Sequence, residues 1–194
     1  MFRLKVKKKY FIICLFFIKT GFCSNLLTQP HFNSLIIIRN SEFNINFNFE
    51  VNLSVAMHQL LEPKLSHEEF LKKYTLLSNE KFDQAMQYFI QDLYSKCFLV
   101  TAQDKRYKLI KWELPNNLQV KKLLLDELSI INVPEEFQVH IDPINLKAEV
   151  QSVEPIHRIK LSLSTSLMPI FVINGDKDKF WLTVDLPLFV INIP

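Results

Sequence analysis

Glycine is nearly absent from this 194-residue chain, which contains only Gly21 and Gly175. Rossmann and P-loop phosphate sites need several glycines, because their backbone must approach the phosphates closely and adopt positive φ. The Gly-x-Ser-x-Gly turn that carries the nucleophile of many esterases needs two glycines, one on either side of a serine within five residues, and Gly21 and Gly175 are far apart. These sites are therefore excluded, and the common nucleotide enzymes and esterase-type hydrolases are poor candidates.

Long apolar runs are also missing: the run at 10–18 is shorter than the roughly 20 apolar residues of a membrane-spanning helix. A basic head of Arg3 and four lysines precedes it, and the small residues Gly21 and Cys23 follow. This order is typical of a secretory signal peptide. We predict a signal peptide over 1–23 that is cleaved after Cys23. The chain is then exported, periplasmic or secreted in a bacterium, or in the secretory pathway of a eukaryote. A retained anchor is the alternative.

Cysteine is equally scarce once that segment is removed. Cys14 and Cys23 lie within it, which leaves Cys97 alone and rules out an intrachain disulfide in the mature chain. Tyr94 and Phe98 stand near Cys97, so the pattern favours a buried thiol that acts as a small hydrophobic residue. The alternative is a catalytic thiolate, which needs an electropositive, partly open site and a positioned histidine.

Positive net charge is confined to the predicted signal peptide. The chain has 23 basic and 20 acidic residues, and six of the basic but none of the acidic residues lie in 1–23. The mature chain therefore has 17 basic and 20 acidic side chains, a net charge of −3. Nucleic-acid binding needs a concentrated basic surface, and we predict no nucleic acid as a partner. The only local candidates are basic residues with two interleaved aromatics: Lys105, Arg106, Tyr107, Lys108, Lys111, Trp112, Lys121 and Lys122.

The clearest periodic pattern runs from Phe43 to Val55, where seven apolar residues alternate with polar ones. A period of two predicts a strand with one face in a core and the other in water. We predict one long strand over 43–55, about 40 Å in length at ~3.3 Å per residue. The short apolar run at 35–38, within a lead-in segment over 24–40, is a candidate first strand.

The pattern then changes to a helical period. Ser66 and Glu69 form a capping box, and a second helix with one apolar stripe is expected to begin near Ser78. We therefore predict a helix pair over about 66–95. Residues 118–132 are ambiguous, because their leucines and isoleucines suit either a short helix or a buried strand.

After this region the chain returns to short strands separated by turn residues. The predicted strands are 98–102, 106–114, 137–141, 144–150, 159–163, 170–173, 180–186 and 188–193. The predicted fold is mainly β with a helical insertion (α+β). We expect an antiparallel β-sandwich or partly open barrel with the helix pair packed on it. We assign 41–194 to a single β-rich extracytoplasmic domain.

The histidines do not form a convincing catalytic or metal-binding pattern. His140 and Asp142 share one face of a predicted strand but offer only two ligands. His58 and Glu62 have helical i, i+4 spacing without a His-Glu-x-x-His motif around them. His67 lies inside the capping box, where a first-turn surface role is expected.

The remaining candidates also have simpler explanations. His157 stands at a strand start, where exposure is usual. Asn174, Asp176 and Asp178 resemble a calcium loop, but Gly175 is in the wrong position for one, so the pattern favours a hairpin turn. We predict no catalytic, cofactor-binding or metal-binding residue and no cofactor.

These patterns lead to three functional hypotheses. The first is an exported, non-catalytic binding or assembly module whose partner is another extracytoplasmic or membrane protein. Contact with the membrane itself is expected only if the N-terminal segment is not cleaved. The alternative is a carrier of a hydrophobic ligand or lipid, because a long strand curved around a helix pair can leave an apolar cavity. The third is a Cys- or metal-dependent enzyme, using Cys97 with a histidine or His140 with Asp142.

Overall fold

Most of the predicted alternating segments are strands in the structure. The computed structural model describes residues 32–131, 133, 142–175, 178–185 and 188–193. The strands in these ranges are β1 (Asn33–Ser41), β2 (Asn44–Val51), β3 (Phe98–Thr101), β4 (Arg106–Lys108), β5 (Ile110–Glu113), β6 (Ile144–Gln151), β7 (Arg158–Ser162), β8 (Ile170–Asn174), β9 (Asp178–Leu182) and β10 (Leu188–Asn192). The helices there are α1 (Leu53–Leu61), α2 (His67–Thr75), α3 (Asn79–Lys96) and α4 (Asn117–Ile131). Residues from Phe32 onward form one compact unit.

The larger sheet contains six of these strands in the order β5-β6-β2-β1-β8-β9. The alternation on β2 places Ile45, Phe47 and Phe49 completely inside the core. Burial of a phenylalanine side chain contributes about 1.5–3 kcal/mol relative to exposure, so β2 holds the middle of the sheet on the core. Neighbouring strands are antiparallel except β1 and β8, which are parallel. The parallel pair departs from the predicted antiparallel pattern, because a long connection returns β8 to the side of β1.

The smaller sheet has the order β10-β7-β3-β4 and is antiparallel throughout its described strands. β3 and β4 pair as the predicted hairpin. The prediction of one strand over 106–114 is wrong, because this segment forms two strands, β4 and β5. It is divided at Leu109, which is completely buried, and its last part, β5, pairs with β6 in the larger sheet. Lys111, within β5, has a positive φ of 51°, and the pairing of β5 with β6 is irregular at this point.

The long strand predicted over 43–55 is wrong in its last four residues, because β2 ends before Asn52 and α1 begins directly after it. The side-chain oxygen of Asn52 accepts a hydrogen bond from the Val55 N–H at 3.3 Å and caps the new helix. The buried side chain of Asn33 holds this junction, since its oxygen accepts from the Asn52 N–H at 2.9 Å. The helix cap at Asn52 therefore ends the strand, although the alternation of apolar and polar residues continues to Val55.

The predicted helix pair is confirmed as α2 and α3. α2 begins with the capping box: the Glu69 N–H donates to Ser66 Oγ at 3.2 Å, and the Ser66 N–H donates to a Glu69 carboxylate oxygen at 2.9 Å. The bond from the Ser66 backbone keeps the pKa of Glu69 below its usual value. Ser78 caps α3 through its side chain. Of the ambiguous segment 118–132, residues 118–131 are helical, since they belong to α4.

One continuous hydrophobic core joins the two sheets and the helices. Its largest helical contributions are Phe70, Phe82 and Phe89, all at most 1 % exposed. Phe180 of β9 stacks on Phe189 of β10 with 3.9 Å between ring centroids, which joins one edge strand of each sheet. The sheets do not close into a barrel. The predicted α+β fold, mainly β with two layers of sheet, is therefore confirmed.

Later strands follow the predicted pattern where they are described. The segments predicted at 144–150, 159–163, 170–173 and 188–193 coincide with β6, β7, β8 and β10, and β9 overlaps the start of 180–186. The predicted strand 137–141 lies outside the described residues. Within the described ranges, every helix is too short or too polar to cross a membrane.

Candidate interaction surface and side-chain clusters

The outward face of the larger sheet is divided into a polar half and an apolar half. On β2 and β6 the outward positions are polar, with Asn46 opposite Glu149 and Asn48 opposite Lys147. Lys147 Nζ lies 2.9 Å from a carboxylate oxygen of Glu113 on β5. This half is the solvated face that an antiparallel sheet commonly has.

On β1, β8 and β9 the same face is mostly apolar, with Ser34 beside Phe171 and Lys179 beside Ile173 as its polar members. Ile36 lies opposite Ile173, and Phe171 lies opposite Trp181, so these side chains stand beside one another on one face. Ile38 continues the row on β1 and is 40 % exposed. We call this surface the apolar patch, and its members are Phe32, Ile36, Ile38, Phe171, Ile173 and Trp181.

Three aromatic rings form one end of the apolar patch. The Trp181 ring lies 4.8 Å from the Phe32 ring in an edge-to-face arrangement and 5.1 Å from the Phe171 ring. Phe32 is 49 % and Trp181 is 42 % exposed. Large exposed rings that are already held by their neighbours are suited to binding, because little side-chain freedom is lost when a partner covers them.

A groove of about 470 Å³ lies at the other end of the apolar patch, between the ends of β1 and β8. Isoleucines of both strands line it, together with Arg39. The charged residues around the patch are balanced, since Arg39 and Lys179 are basic and Glu50 and Asp178 are acidic. The patch is therefore apolar at its centre and close to neutral at its rim.

Cys97 lies inside the core and is completely buried, which confirms the burial predicted from its neighbours. Burial raises the pKa of its thiol to about 12. The Ser164 N–H donates to Cys97 Sγ at 3.4 Å, and the Ser164 hydroxyl donates to a carboxylate oxygen of Asp92 and contacts the Ser166 hydroxyl at 2.8 Å. We call Asp92, Cys97, Ser164 and Ser166 the buried cluster. Its thiol is protonated at neutral pH and shielded from solvent.

The calcium-like run is described only in part, because Asp176 lies outside the described residues. Asn174 and Asp178 face each other across the turn, with Asn174 Nδ2 donating to Asp178 Oδ2 at 3.2 Å. Gly175 has a φ of 62°, which glycine adopts without steric cost. β8 and β9 pair directly around this turn, so the predicted hairpin is confirmed.

The basic group considered for nucleic-acid binding is partly neutralised by acidic neighbours. Lys105 forms an ion pair with Glu154, and Lys111 forms one with Glu149. Trp112, one of the two aromatic residues interleaved with this group, lies half-buried against the core. The absence of a nucleic-acid partner stays a prediction.

Of the two histidine pairings considered in the sequence, only the one between His58 and Glu62 lies within the described residues. His140 lies outside the described residues, so its pairing with Asp142 does too. His58 and Glu62 have the predicted spacing, but the Glu62 carboxylate forms an ion pair with Lys73. Among the described residues, no group of three or more His, Cys, Asp and Glu side chains is arranged to hold a metal ion.

His58 instead meets His67, a contact that was missed in the sequence. Their Nδ1 atoms are 3.4 Å apart. His58 Nε2 lies 2.8 Å from the Leu65 carbonyl oxygen, and His67 Nε2 lies 2.8 Å from Glu127 Oε1. We call His58, His67 and Glu127 the histidine cluster. It joins α1, α2 and α4, and no local motif announces it because Glu127 is 60 residues from His67.

Two features of the described residues thus remain as candidates for binding, the apolar patch on the larger sheet and the histidine cluster between the helices. No family model matches this chain, and no curated protein or solved structure is significantly similar to it.

Proposed function

We propose that this chain is an exported, non-catalytic binding or assembly module that docks another extracytoplasmic or membrane protein on its apolar patch. The observation that carries the proposal is the patch itself, in which exposed Trp181 and Phe32 stand beside a row of isoleucines. The buried centre of a protein interface is enriched in aromatic residues and depleted of charged residues. The apolar patch has this composition, and the polar half of the sheet provides a rim.

Charge favours a protein partner over a lipid surface. Anionic membranes attract clusters of basic residues around an apolar anchor. Arg39 and Lys179 near the apolar patch are matched by Glu50 and Asp178, and the predicted mature chain is acidic overall. A protein partner with an apolar centre and mixed charges at its rim fits this surface better than a lipid headgroup layer does.

Photo-crosslinking in the native host tests the proposal. A photoreactive phenylalanine at position 181 should give one discrete adduct with a second protein, whereas the same residue at exposed Tyr88 on α3 should not. The partner is then purified and its affinity measured. Equal labelling from both positions, or adducts only with a second copy of this chain, would contradict the proposed partner, as would vesicle binding without a protein adduct.

The affinity measurement uses two matched substitutions on the same sheet face. Trp181→Lys places a charge in the apolar patch and should weaken binding about 30-fold, because an aromatic residue that anchors an interface contributes about 2 kcal/mol or more. Asn46→Lys places the same charge in the polar half and should leave the affinity within about twofold. An equal effect of both substitutions would show that the patch is not the docking surface.

A second candidate function, a carrier of a hydrophobic ligand or lipid, is favoured only by the groove beside Arg39. Its volume of about 470 Å³ lies within the range of small-molecule pockets, and isoleucines line it. A carrier should retain a stoichiometric lipid in native mass spectrometry of the protein from its own host. A spectrum of the bare chain would remove this candidate.

A further inference from the structure

The histidine cluster has a geometry that a pair of neutral imidazoles alone does not explain. The ring centroids of His58 and His67 are 5.3 Å apart, whereas their Nδ1 atoms are 3.4 Å apart, so the rings meet through their Nδ1 edges. Both side chains are half-buried above the completely buried ring of Phe70. The pair is therefore held in place and remains in reach of solvent.

The outer nitrogen atoms determine which tautomer each ring adopts. His58 Nε2 faces a backbone carbonyl oxygen, that of Leu65, and His67 Nε2 faces the Glu127 carboxylate. Both oxygens are acceptors, so each Nε2 must carry a hydrogen and donate it. Each neutral ring then has its lone pair on Nδ1, and the two lone pairs face each other. A positive species between them removes this repulsion.

We propose that His58 Nδ1 and His67 Nδ1 bind one divalent transition-metal ion of the class that prefers imidazole, Cu²⁺ or Zn²⁺. Two nitrogens bound at about 2.05 Å to a tetrahedral ion are separated by roughly 3.4 Å, which is the separation of these two atoms. Metal-binding histidines typically donate their other N–H to a carboxylate or a backbone carbonyl. Both kinds of partner are present. Water completes the coordination, since the described residues offer only these two protein ligands.

Glu127 supplies an independent indication of a cation. Its Oε2 is buried and has no hydrogen-bond partner among the described residues, in a side chain that is only 16 % exposed. A buried carboxylate oxygen without a partner is costly. A metal ion on His67 makes the Nε2–H a stronger donor and brings positive charge toward this carboxylate, which offsets that cost.

The site is tested with the exported protein, purified without a histidine tag and titrated with Cu²⁺. We expect one saturable ion per chain, with an electron spin-echo spectrum that contains two imidazole nitrogens. Zn²⁺ should displace the Cu²⁺ competitively. His58→Gln and His67→Gln each keep an N–H donor near the position of Nε2 while removing the Nδ1 ligand, so the fold should be retained. Each should weaken binding by at least about tenfold and remove the two-nitrogen signal.

Two further variants separate this site from binding elsewhere. His157→Gln makes the same substitution at an exposed histidine outside the cluster and should leave affinity and spectrum unchanged. Glu127→Gln should weaken binding by about 10- to 100-fold, the usual effect of losing a carboxylate behind a ligating histidine. The proposal is overturned if the wild type shows no saturable binding, as would follow if the rings share only a proton. Undiminished affinity in both His58→Gln and His67→Gln, with folding verified by circular dichroism, also overturns it.

Discussion

The buried cluster and the histidine cluster are both assembled from distant elements, and they differ in how completely their polar atoms are satisfied. In the buried cluster, the Ser164 hydroxyl donates to Asp92, and Asp92 also forms an ion pair with Lys96 at the surface. In the histidine cluster, two Nδ1 atoms face each other, and Glu127 Oε2 has no hydrogen-bond partner within the described part of the chain. The first cluster uses its hydrogen-bonding capacity within the fold, whereas the second leaves part of it for a ligand.

This difference separates structure from binding more clearly than residue type does. Aspartate, serine and cysteine together suggest catalysis in a sequence, yet here the thiol is protonated and all four members of the buried cluster are buried. Satisfied buried networks rigidify and specify a core. His67 in a capping box and His58 near the end of α1 suggest surface roles. Yet each ring donates from Nε2, which leaves the Nδ1 lone pairs of both rings available to a metal ion.

The largest effect is expected from Asp92→Ala. This substitution leaves the Ser164 hydroxyl without its charged acceptor inside the core, and a hydrogen bond to a charged group contributes up to about 3 kcal/mol. The free energy of unfolding from urea titration should fall by that amount. Lys96→Ala is the control, because it removes only the exposed partner of Asp92, and a surface ion pair contributes less than about 1 kcal/mol. Equal losses of unfolding free energy would mean that the ion pair between Asp92 and Lys96, and not the buried hydrogen bond from Ser164, accounts for the contribution of Asp92 to stability.

A smaller effect is expected from the buried thiol at alkaline pH. The pKa of Cys97 is raised from about 9 to about 12 in the folded chain, so the folded state holds this proton more tightly than the unfolded state. Stability from the neutral thiol is complete below about pH 9 and is lost as pH rises toward 12. Relative to Cys97→Ala, the wild type should lose about 1 kcal/mol of unfolding free energy between pH 8 and pH 10. A constant difference across this range would place the thiol in contact with water.

Fold class could be predicted from the sequence because alternation and capping are local signals. β2, the capping box of α2 and the hairpin between β8 and β9 all depend on residues within a few positions of one another. The end of β2 was missed because the apolar residues that start α1 continue its parity, so Asn52 as a helix cap was the only local signal. The parallel pairing of β1 with β8 depends on the path of the intervening chain, which no local pattern describes.

The histidine cluster and the apolar patch were beyond sequence reasoning for a related physical reason. His58 and His67 are nine residues apart, but they meet only because the connection between α1 and α2 folds back and presents the two rings edge to edge. Glu127 is contributed by a third helix. The apolar patch likewise depends on the register of three strands, of which β1 is separated from β8 and β9 by more than a hundred residues.

The sharpest test of the comparison removes charge at constant shape in both clusters, and the smallest effect of all is expected from its Glu127→Gln half. Asp92→Asn weakens a charge-assisted bond to a completely buried hydroxyl and should cost about 1–2 kcal/mol of unfolding free energy. Glu127→Gln should change it by less than about 0.5 kcal/mol in metal-free buffer, because the amide oxygen still accepts from His67 and the other carboxylate oxygen has no partner to lose among the residues that the structure describes. Paired urea titrations measure both. If Glu127→Gln costs as much as Asp92→Asn, the carboxylate stabilises the helices directly, and the contrast between a structural and a ligand-binding cluster fails.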